Sequence, residues 1–446
     1  MVSTEGPVWP VKAKPSGVGP LAAYLRIRRD PVEFFTQLLN TAGDLVRFRV
    51  LTLPYCLIND PVLVRQALVE HSEQIVIQGG VSRGLAKLIG DGILTNQGEA
   101  WRKSRTLLQP LFHQSVLSAH LPAMASLVQE SFERWRQGHP STAVPMHREM
   151  LALSYRIACS TLFHHVPAFS EAESFADAIW TLQRDGMDRH LSGGDYLPWL
   201  PRPQHLRVNR ARRALARLGK VSLDEGRSPP LDEVLSLLFA GTESPVTTLC
   251  FALQLLEQHP SWRDRLVAEL QDIETPEAMD QHPLLTQVVN ESLRLFPAGW
   301  AFERYAATNV TLGEERIRRG TRLVFSPFHM HRNPRLWRHP DQFDPSRFSA
   351  AQSGPEALPR YAFMPFGAGP RSCIGSRLAM SEMRLVLGMF LRSCRWKIEH
   401  KEGEGPLRPE GAFKLRLSRP LHVRCDFPSS RKPPRSRSGF EKAASS

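Results

Sequence analysis

The cysteine at position 373 lies in the part of the sequence that carries the strongest chemical signal. Residues 366–375 read Phe-Gly-Ala-Gly-Pro-Arg-Ser-Cys-Ile-Gly, and an amphipathic helix pattern follows them directly. A thiolate at Cys373 would lie near the positive end of the helix dipole and beside Arg371, and both neighbours favour the ionised form of a cysteine. The loop is therefore predicted to present an ionised sulfur.

The residues around this cysteine favour a large flat ligand. Gly367, Gly369 and Gly375 permit turns that other residues resist and let the backbone approach such a ligand closely. Phe366 can shield the sulfur from water. A lone cysteine beside glycines would be a weak signal, because most buried cysteines are inert. The complete pattern Phe-x-x-Gly-x-Arg-x-Cys-x-Gly is far more restrictive.

This pattern resembles the haem-ligand loop of the cytochrome P450 family, in which a cysteine thiolate is the axial ligand of the haem iron. The resemblance spans most of the chain, and it is closest to the soluble bacterial members. It implies a haem b cofactor with Cys373 as the iron ligand and a mainly α fold with small β-sheets. The haem is expected between a long distal helix and the helix that follows the Cys loop. Within this loop the predicted cofactor contacts are Phe366, Gly367, Arg371 and Gly375.

Glu291 and Arg294 lie three residues apart on a strong helical pattern. This spacing places both side chains on one face, where they can pair. An exposed ion pair of little energetic value is the simpler alternative. Residues 343–348 then read Phe-Asp-Pro-Ser-Arg-Phe. In the family, a Glu and an Arg on one helix lock to an Arg in such a later segment. The resemblance therefore implies that Glu291, Arg294 and Arg347 form a buried structural network that supports the Cys loop.

A long apolar helix pattern from Leu231 to Glu257 has an irregular centre. Pro245 lacks a backbone N–H and clashes with the preceding turn, so a kink is expected. A charged residue such as Glu243 needs a reason to lie in an apolar helix. A kinked core helix with a capped glutamate is the alternative that involves no chemistry.

In the family, the corresponding helix crosses the distal face of the haem with the order small residue, Gly, any residue, acid, alcohol. These places are filled by Ala240, Gly241, Glu243 and Ser244. Oxygen activation consumes protons, which a carboxylate connected to water can supply while a hydroxyl holds the water in place. Ser244 stands where threonine is usual and rotates more freely, so Thr242 is the alternative hydroxyl. We therefore expect Glu243, Ser244 and Thr242 to be the catalytic residues.

Trp101 and Arg105 are four residues apart on a helical pattern and share a face. Both side chains can donate hydrogen bonds to a carboxylate. The family's Trp-x-x-x-Arg pair binds a haem propionate, whereas one turn of a basic amphipathic helix is the alternative. Arg304 and Arg371 are further candidates for the propionates.

The predicted substrate pocket is assigned by resemblance and carries hardly any charge. Its candidate residues are Phe239, Ala298, Gly299, Trp300, Ala301 and Phe413. A Gly-rich loop over residues 76–98 is expected to cover it. This apolar and aromatic wall favours a hydrophobic small molecule such as a terpenoid, fatty acyl or polyketide compound. Trp300 would narrow the pocket if it pointed inward.

Composition sets the remaining expectations. The chain has 446 residues, of which 42% are hydrophobic. We expect one haem-thiolate monooxygenase domain over residues 1–426 and a basic, disordered tail over 427–446. No apolar run of about 20 residues predicts a membrane span, and no signal peptide is apparent. The widely spaced cysteines suit a reducing compartment. A cytoplasmic monomer is expected.

The formal net charge of +13 allows a nucleic-acid binder as one reading. No nucleic-acid motif supports it. Docking of an acidic electron-transfer partner near the Cys loop accounts for the charge better. Since the sequence has no flavin or nicotinamide motif, a ferredoxin or flavodoxin with its reductase is the expected electron donor.

The predicted function is therefore a haem-dependent monooxygenase of secondary metabolism that uses O2 to hydroxylate or epoxidise a hydrophobic small molecule. A peroxide-using or rearranging haem-thiolate enzyme and a non-catalytic haem-binding protein are the alternatives. One departure from the family concerns residues 221–230. Family members usually carry considerably more helix there, so part of the lid over the pocket is predicted to be shortened.

Overall fold

Helices form most of the described chain, and prolines often mark where they begin. The computed structural model describes residues 14–77, 80–138, 143–182, 203–221, 229–349, 358–400 and 407–427. Proline is suited to the first helical turn, because its missing N–H has no partner there and its φ is already helical. Asp30 and Asp60 cap two of these proline-led helices by accepting bonds from Glu33 N–H and Leu63 N–H.

The helices follow one another along the chain as α1 (Pro20–Arg29), α2 (Pro31–Ala42), α3 (Pro61–Arg65), α4 (Gly80–Ile89), α5 (Gly98–Leu108), α6 (Gln114–Gly138), α7 (Met146–Phe163), α8 (Phe169–Thr181), α9 (Pro203–Val221), α10 (Leu231–Gly241), α11 (Glu243–Gln258), α12 (Pro260–Leu270), α13 (Pro276–Asp280), α14 (Pro283–Leu295), α15 (Pro327–Met330) and α16 (Ser376–Ser393). The strands are β1 (Lys14–Pro15), β2 (Leu45–Val50), β3 (Leu53–Ile58), β4 (Ile75–Val76), β5 (Val144–Pro145), β6 (Phe302–Ala306), β7 (Val310–Leu312), β8 (Glu315–Ile317), β9 (Arg322–Phe325), β10 (Arg395–Ile398), β11 (Pro409–Gly411), β12 (Leu415–Leu417) and β13 (His422–Asp426).

The strands form small sheets beside the helices. The largest has the order β1-β2-β3-β9-β6-β4, in which the pairs β1–β2 and β3–β9 are parallel while β2–β3, β9–β6 and β6–β4 are antiparallel. β10, β13 and β5 form a three-stranded sheet, and β11 with β12 forms a hairpin. The prediction of a mainly α fold with small β-sheets is confirmed.

The segment made of α10 and α11 is the central helix of the core. α11 packs against α7, α14 and α16. By length and composition alone, Leu231–Gln258 could cross a membrane, with a mean hydropathy of 1.4 over its best window, although no apolar run of this kind was expected. That window is 83% buried inside the protein, as a core helix is. Its apolar surface is therefore already covered by other helices.

The structure differs from the sequence-based expectation for residues 76–98. The Gly-rich segment 76–98 was expected to be one long loop, but α4 (Gly80–Ile89) occupies its middle, because apolar residues recur there at helical spacing despite the glycines. The shortened segment and the basic tail fall mostly on residues 222–228 and 428–446, which lie outside the described residues.

Candidate active site

The Cys loop is closed by its own backbone. Cys373 N–H donates to Phe366 O at 2.8 Å, and Ser372 N–H donates to Gly369 O at 3.0 Å. Gly369 has a φ of +72°, and a Cβ atom there would overlap the carbonyl oxygen of Leu68. Only glycine combines this backbone conformation with such a close approach. The loop thereby delivers Cys373 just before α16, which begins at Ser376.

The ionisation of Cys373 differs from the sequence-based expectation. The residue keeps an exposed surface, yet the protein atoms packed around its sulfur desolvate the thiolate and raise the pKa of the thiol above its ordinary value, while the Gly375 N–H and the charges of Arg105 and Lys414 act in the opposite direction. Arg371 is not among these favourable neighbours. The protein by itself therefore does not hold the thiolate, and coordination to a metal ion is what would deprotonate this sulfur.

The sulfur nevertheless has open space in front of it. Cys373 is exposed, and with Arg105 and Phe112 it lines a cavity of about 550 Å³. Arg105 lies at its edge, where its guanidinium donates to Ser372 O at 2.9 Å. The predicted contact Arg105 is thus adjacent to the Cys loop.

Three further predicted propionate contacts lie together. Trp101, Arg304 and Arg371 line a second cavity of about 520 Å³. The Arg371 guanidinium lies 4.4 Å from the centre of the Trp101 ring and donates to Asn96 O at 3.0 Å. Burial, followed by the charge of Arg371, lowers the pKa of Arg304 to about 10. Two guanidinium groups that face each other in this way favour an anion between them.

No ion pair to a carboxylate satisfies Arg304 or Arg371 in the part of the chain that the structure describes. Arg304 donates one bond, to the neighbouring Glu303 O at 2.9 Å. The cluster therefore has the charge and the free donors needed to bind carboxylate groups of a ligand. This observation fits the two propionates of a haem.

The distal helix is interrupted where the sequence analysis expects a kink. α10 ends at Gly241 and α11 begins at Glu243, and Pro245 has no N–H to donate to Gly241 O. Gly241 is exposed although its helix lies in the core, and no atom lies within 4 Å of the position of an added Cβ. The helix therefore borders an open internal space at Gly241.

The two candidate hydroxyls differ in access to this space. Ser244 Oγ donates to Ala240 O at 2.9 Å and is partly exposed, as is Ala240. Thr242 Oγ1 donates to Leu238 O at 2.8 Å and is fully buried. Ser244 is therefore the better placed of the two to contact water or a ligand.

Glu243 is buried beside a cation that the sequence analysis did not identify. Its side chain is 3% exposed, and its Oε2 lies 3.6 Å from the ammonium nitrogen of Lys414. Burial raises the pKa of the Glu243 carboxyl, and the charge of Lys414 opposes this rise. The tip of the β11–β12 hairpin thereby meets the helix break.

The Glu291–Arg294 pair is completely buried. Arg294 Nε donates to Glu291 Oε2 at 2.6 Å, and a second nitrogen donates to Oε1 at 2.8 Å. The same guanidinium donates to three carbonyls, those of His331, Pro340 and Gln342, at 2.8, 2.6 and 3.0 Å. This is the bidentate geometry in which arginine binds carboxylate most strongly.

Arg347 is the weakest member of this group. Its Nε lies 3.4 Å from Glu291 Oε1 without a hydrogen bond, and it donates to His339 O at 2.9 Å. Asp344 N–H takes the closer position on Glu291 Oε1, at 2.8 Å. The structure thus brings the three predicted residues together, with Arg347 at the edge.

A chain of bonds leads from this network to the Cys loop. His331 bonds to Arg294 O through Nδ1 at 3.1 Å and accepts Met364 N–H on Nε2 at 2.9 Å. Met364 O in turn accepts the N–H of Gly367 at 3.0 Å. The network therefore positions the start of the Cys loop through His331.

The predicted pocket residues are divided between wall and support. Phe239 and Phe413 approach to 6.0 Å between ring centres, and Gly299 and Ala301 are at least partly open. Trp300 does not narrow the pocket by pointing freely inward. It is 5% exposed and donates to Ala412 O at 2.8 Å while its ring packs on Phe35. Ala298 is buried and accepts Leu415 N–H through its carbonyl.

These features together fit a haem iron group. Cys373 would offer a sulfur ligand beside an open space, Gly241 borders an open space at the helix break, and Arg304 with Arg371 would offer charge for two carboxylates. The chain also matches the family model described as Cytochrome P450 over residues 16–227 and 231–421.

The chain belongs to the cytochrome P450 family. The break between the two matched ranges, at 228–230, falls in the segment predicted to be shortened. Membership implies a haem-iron cofactor and makes the protein a P450 monooxygenase.

Named relatives extend over most of the chain. The cyclooctat-9-en-7-ol 5-monooxygenase of Streptomyces melanosporofaciens is 29% identical over 89% of this chain and 91% of its own length. The pentalenene oxygenase of Streptomyces avermitilis is 27% identical over 90% of this chain and 93% of its own length. The crystal structure of CYP175A1 from Thermus thermophilus has a TM-score of 0.75 at 27% identity, covering 93% of this chain and 100% of that chain. The P450 fold is thus common to all of these proteins.

Sequence reasoning missed two residues of this region. Lys414 follows Phe413 at the tip of the hairpin, and nothing in its neighbours indicates that its charge is buried. Glu233, on the first turn of α10, binds Ser104 Oγ and accepts Ile93 N–H at 2.7 Å. It therefore fixes α5, with Trp101 and Arg105, to the distal helix. Acidic residues are common at the start of helices, so the position of Glu233 in the sequence indicates a helix N-terminus and does not by itself predict a contact with α5.

Proposed function

We propose that this P450 monooxygenase hydroxylates or epoxidises an apolar cyclic small molecule of the terpenoid class in secondary metabolism. The partly exposed Phe413 ring beside the helix break carries this proposal, since it offers apolar contact area without hydrogen-bond partners and is backed by the buried Phe239. The Streptomyces relatives, named for the oxygenation of pentalenene and of a cyclic alkenol, support the same substrate class.

The proposed cofactor is haem b, bound within one domain that includes the described residues up to 426. Cys373 would ligate the iron, while Arg304, Arg371, Trp101 and Arg105 would hold the propionates. When bound, haem supplies the activation of dioxygen for insertion of one oxygen atom into a C–H or C=C bond. The other oxygen atom leaves as water, which requires two electrons and two protons.

The side chains of this protein would manage the protons. Glu243 is the proposed donor, because it is the buried acid at the helix break. Ser244 is the proposed hydroxyl that positions water, since its oxygen keeps acceptor capacity while its hydrogen bonds to Ala240 O. Phe239 and Phe413 would keep bulk water away from the reacting region.

Electrons are proposed to come from a cytoplasmic ferredoxin or flavodoxin with its reductase. The basic balance of the chain, +13, supports an acidic partner. A peroxide-dependent enzyme is the competing function. Glu243 with Ser244 favours the dioxygen-dependent reaction, because proton delivery is needed when O2 is the oxidant.

Purified holoprotein tests this proposal in two steps. The dithionite-reduced protein with carbon monoxide should show the red-shifted Soret band of a thiolate–iron bond. With a surrogate ferredoxin system, NADPH and O2, the protein should convert at least one cyclic terpene in a panel to a singly oxygenated product. Product formation with peroxide but not with NADPH would support the competing function. A normal band without any turnover on terpenes, fatty acids or polyketides would leave only haem binding.

A further inference from the structure

The buried lysine at the hairpin tip is unusual for its position. Lys414 precedes β12 and is 8% exposed. Its ammonium group donates to Phe239 O at 2.9 Å and to Ala240 O at 3.2 Å, and lies 3.6 Å from Glu243 Oε2. All three acceptors flank the break between α10 and α11. One side chain from the C-terminal hairpin thus reaches both sides of the interruption in the distal helix.

This arrangement has a physical reason. A buried ammonium costs several kcal/mol unless it is paired and hydrogen-bonded. The two carbonyls lie at the end of α10, where the negative end of the helix dipole favours a cation. Lys414 therefore finds at the helix break the partners that its burial requires.

Lys414 donates hydrogen bonds to the carbonyls of Phe239 and Ala240, but it contacts Glu243 only by charge. Glu243 Oε2 is buried and has no hydrogen-bond partner among the described residues, although Lys414 lies 3.6 Å away. The ammonium thus attracts the carboxylate without occupying this oxygen by a bond. An oxygen in this state remains available to a water molecule that arrives with the substrate and dioxygen.

Few other charges could take over this role in the described structure. The charges that act on Glu243 are those of Lys414 and Arg416. Arg416 is paired with Glu410 at 3.0 Å on the outer side of the hairpin, where its side chain is 31% exposed. Lys414 is therefore the cation that faces the acid directly.

We propose that Lys414 is a positioning residue for the P450 reaction. It holds the Glu243 carboxylate at the helix break and ties that acid to the hairpin tip that carries Phe413. The pocket wall and the proton donor would then move as one unit, so that proton delivery depends on how the substrate seats against Phe413. The effect of Lys414 on catalysis rests on the proposed function. The mechanical link between the hairpin and the helix break is independent of that function.

The test compares Lys414→Met, Lys414→Arg and Glu243→Gln with the wild-type holoprotein. Arg416→Met is the matched control, because it removes a neighbouring cation from the same hairpin. The first readout is hydrogen exchange of the backbone amides of residues 409–417 and 239–246. Lys414→Met should increase exchange in both segments, Lys414→Arg should restore most of the protection, and the control should change only the hairpin. Unchanged exchange at 239–246 in Lys414→Met would overturn the link.

The second readout is the fraction of NADPH that ends as peroxide rather than product. Lys414→Met should lower product per NADPH by about 10-fold or more, within the range in which positioned acids act. The double variant Lys414→Met/Glu243→Gln should be no worse than Glu243→Gln alone, because the lysine acts through the acid. If Lys414→Met lowered product per NADPH by the same factor in the wild type and in Glu243→Gln, Lys414 would have only a structural role.

A third readout does not require turnover. The C–O stretching frequency of the reduced carbon monoxide complex reports the charges on the distal side, and it should shift in Lys414→Met but not in Arg416→Met. If the wild-type protein oxidises no substrate, the proposed function fails, yet hydrogen exchange and this frequency still decide the role of Lys414. If turnover is normal and neither readout responds to Lys414→Met, the function stands and this inference fails.

Discussion

Replacing Arg294 by methionine removes the cation that binds Glu291 in bidentate geometry. Among the described residues it leaves only Arg347 near that carboxylate, at 3.4 Å and without a hydrogen bond. Both side chains of the pair are 0% exposed, so Glu291 would be left as a buried and poorly compensated charge. Breaking a buried pair in this way costs about 3–5 kcal/mol. The carbonyls of His331, Pro340 and Gln342 would lose their donors as well. This loss is a large part of the 5–15 kcal/mol by which a typical domain is stable.

Calorimetry of the purified holoprotein measures the effect. For a chain of 446 residues, an unfolding entropy of about 2.1 cal/mol/K per residue gives roughly 0.9 kcal/mol/K in total. A loss of 3–5 kcal/mol therefore lowers the Tm by about 3–5 °C. Haem retention should fall as well, since His331 links Arg294 to the start of the Cys loop.

An exposed pair of the same residue types is the control. Arg265 Nε lies 2.9 Å from Glu269 Oε1, and the two side chains are 60% and 38% exposed. Arg265→Met should cost at most about 0.5 kcal/mol. Replacing both members of the buried pair, as Glu291→Leu/Arg294→Met, should be less harmful than Arg294→Met alone, because no charge is then left unpaired. The reasoning is refuted if Arg294→Met costs no more than Arg265→Met, or if the double variant is the less stable of the two.

Three further changes have expected outcomes. Cys373→Ser should abolish the red-shifted band of the reduced carbon monoxide complex, and a normal band would remove Cys373 as the iron ligand. Gly369→Ala should lose haem and stability, whereas Gly367→Ala should change the Tm by only a degree or so. Both glycines have φ near +72° to +73°, but only a Cβ at position 369 would overlap Leu68 O. Equal effects of the two variants on thermal unfolding would contradict the packing argument. Burial raises the pKa of Glu382 to about 8, so the folded state holds a proton that the unfolded chain releases near pH 4.3, and stability falls as pH rises from about 4 to 8. Glu382→Gln should therefore gain in Tm over the wild type as the pH rises from 5 to 9, and parallel Tm curves would show that this carboxyl is not protonated in the folded state.

The sequence by itself predicted much of the candidate site because the residues of each motif lie close together along the chain. The Cys loop, the acid–alcohol pair after Gly241 and the Glu-x-x-Arg spacing are all local patterns, each placed by the backbone geometry of one loop or one helix. For the same reason the mainly helical class and the kink near Pro245 could be predicted. The segment of α4 was misjudged, since its glycines outweighed its helical periodicity in the prediction.

The tertiary structure decided which charges meet across the fold. Lys414 and Glu243 are far apart in sequence, as are Arg304 and Arg371, and no periodicity relates the members of either pair. Whether a charged side chain is buried, and against which partner, depends on the packing of separate elements rather than on local propensity. The packed structure likewise raises the pKa of the Cys373 thiol where the sequence predicted a lowered one, because desolvation of the sulfur outweighs the nearby positive charges. The chain therefore encodes its reaction class in short motifs, whereas the burial of Glu243 beside Lys414 arises only when the helix and the hairpin pack together.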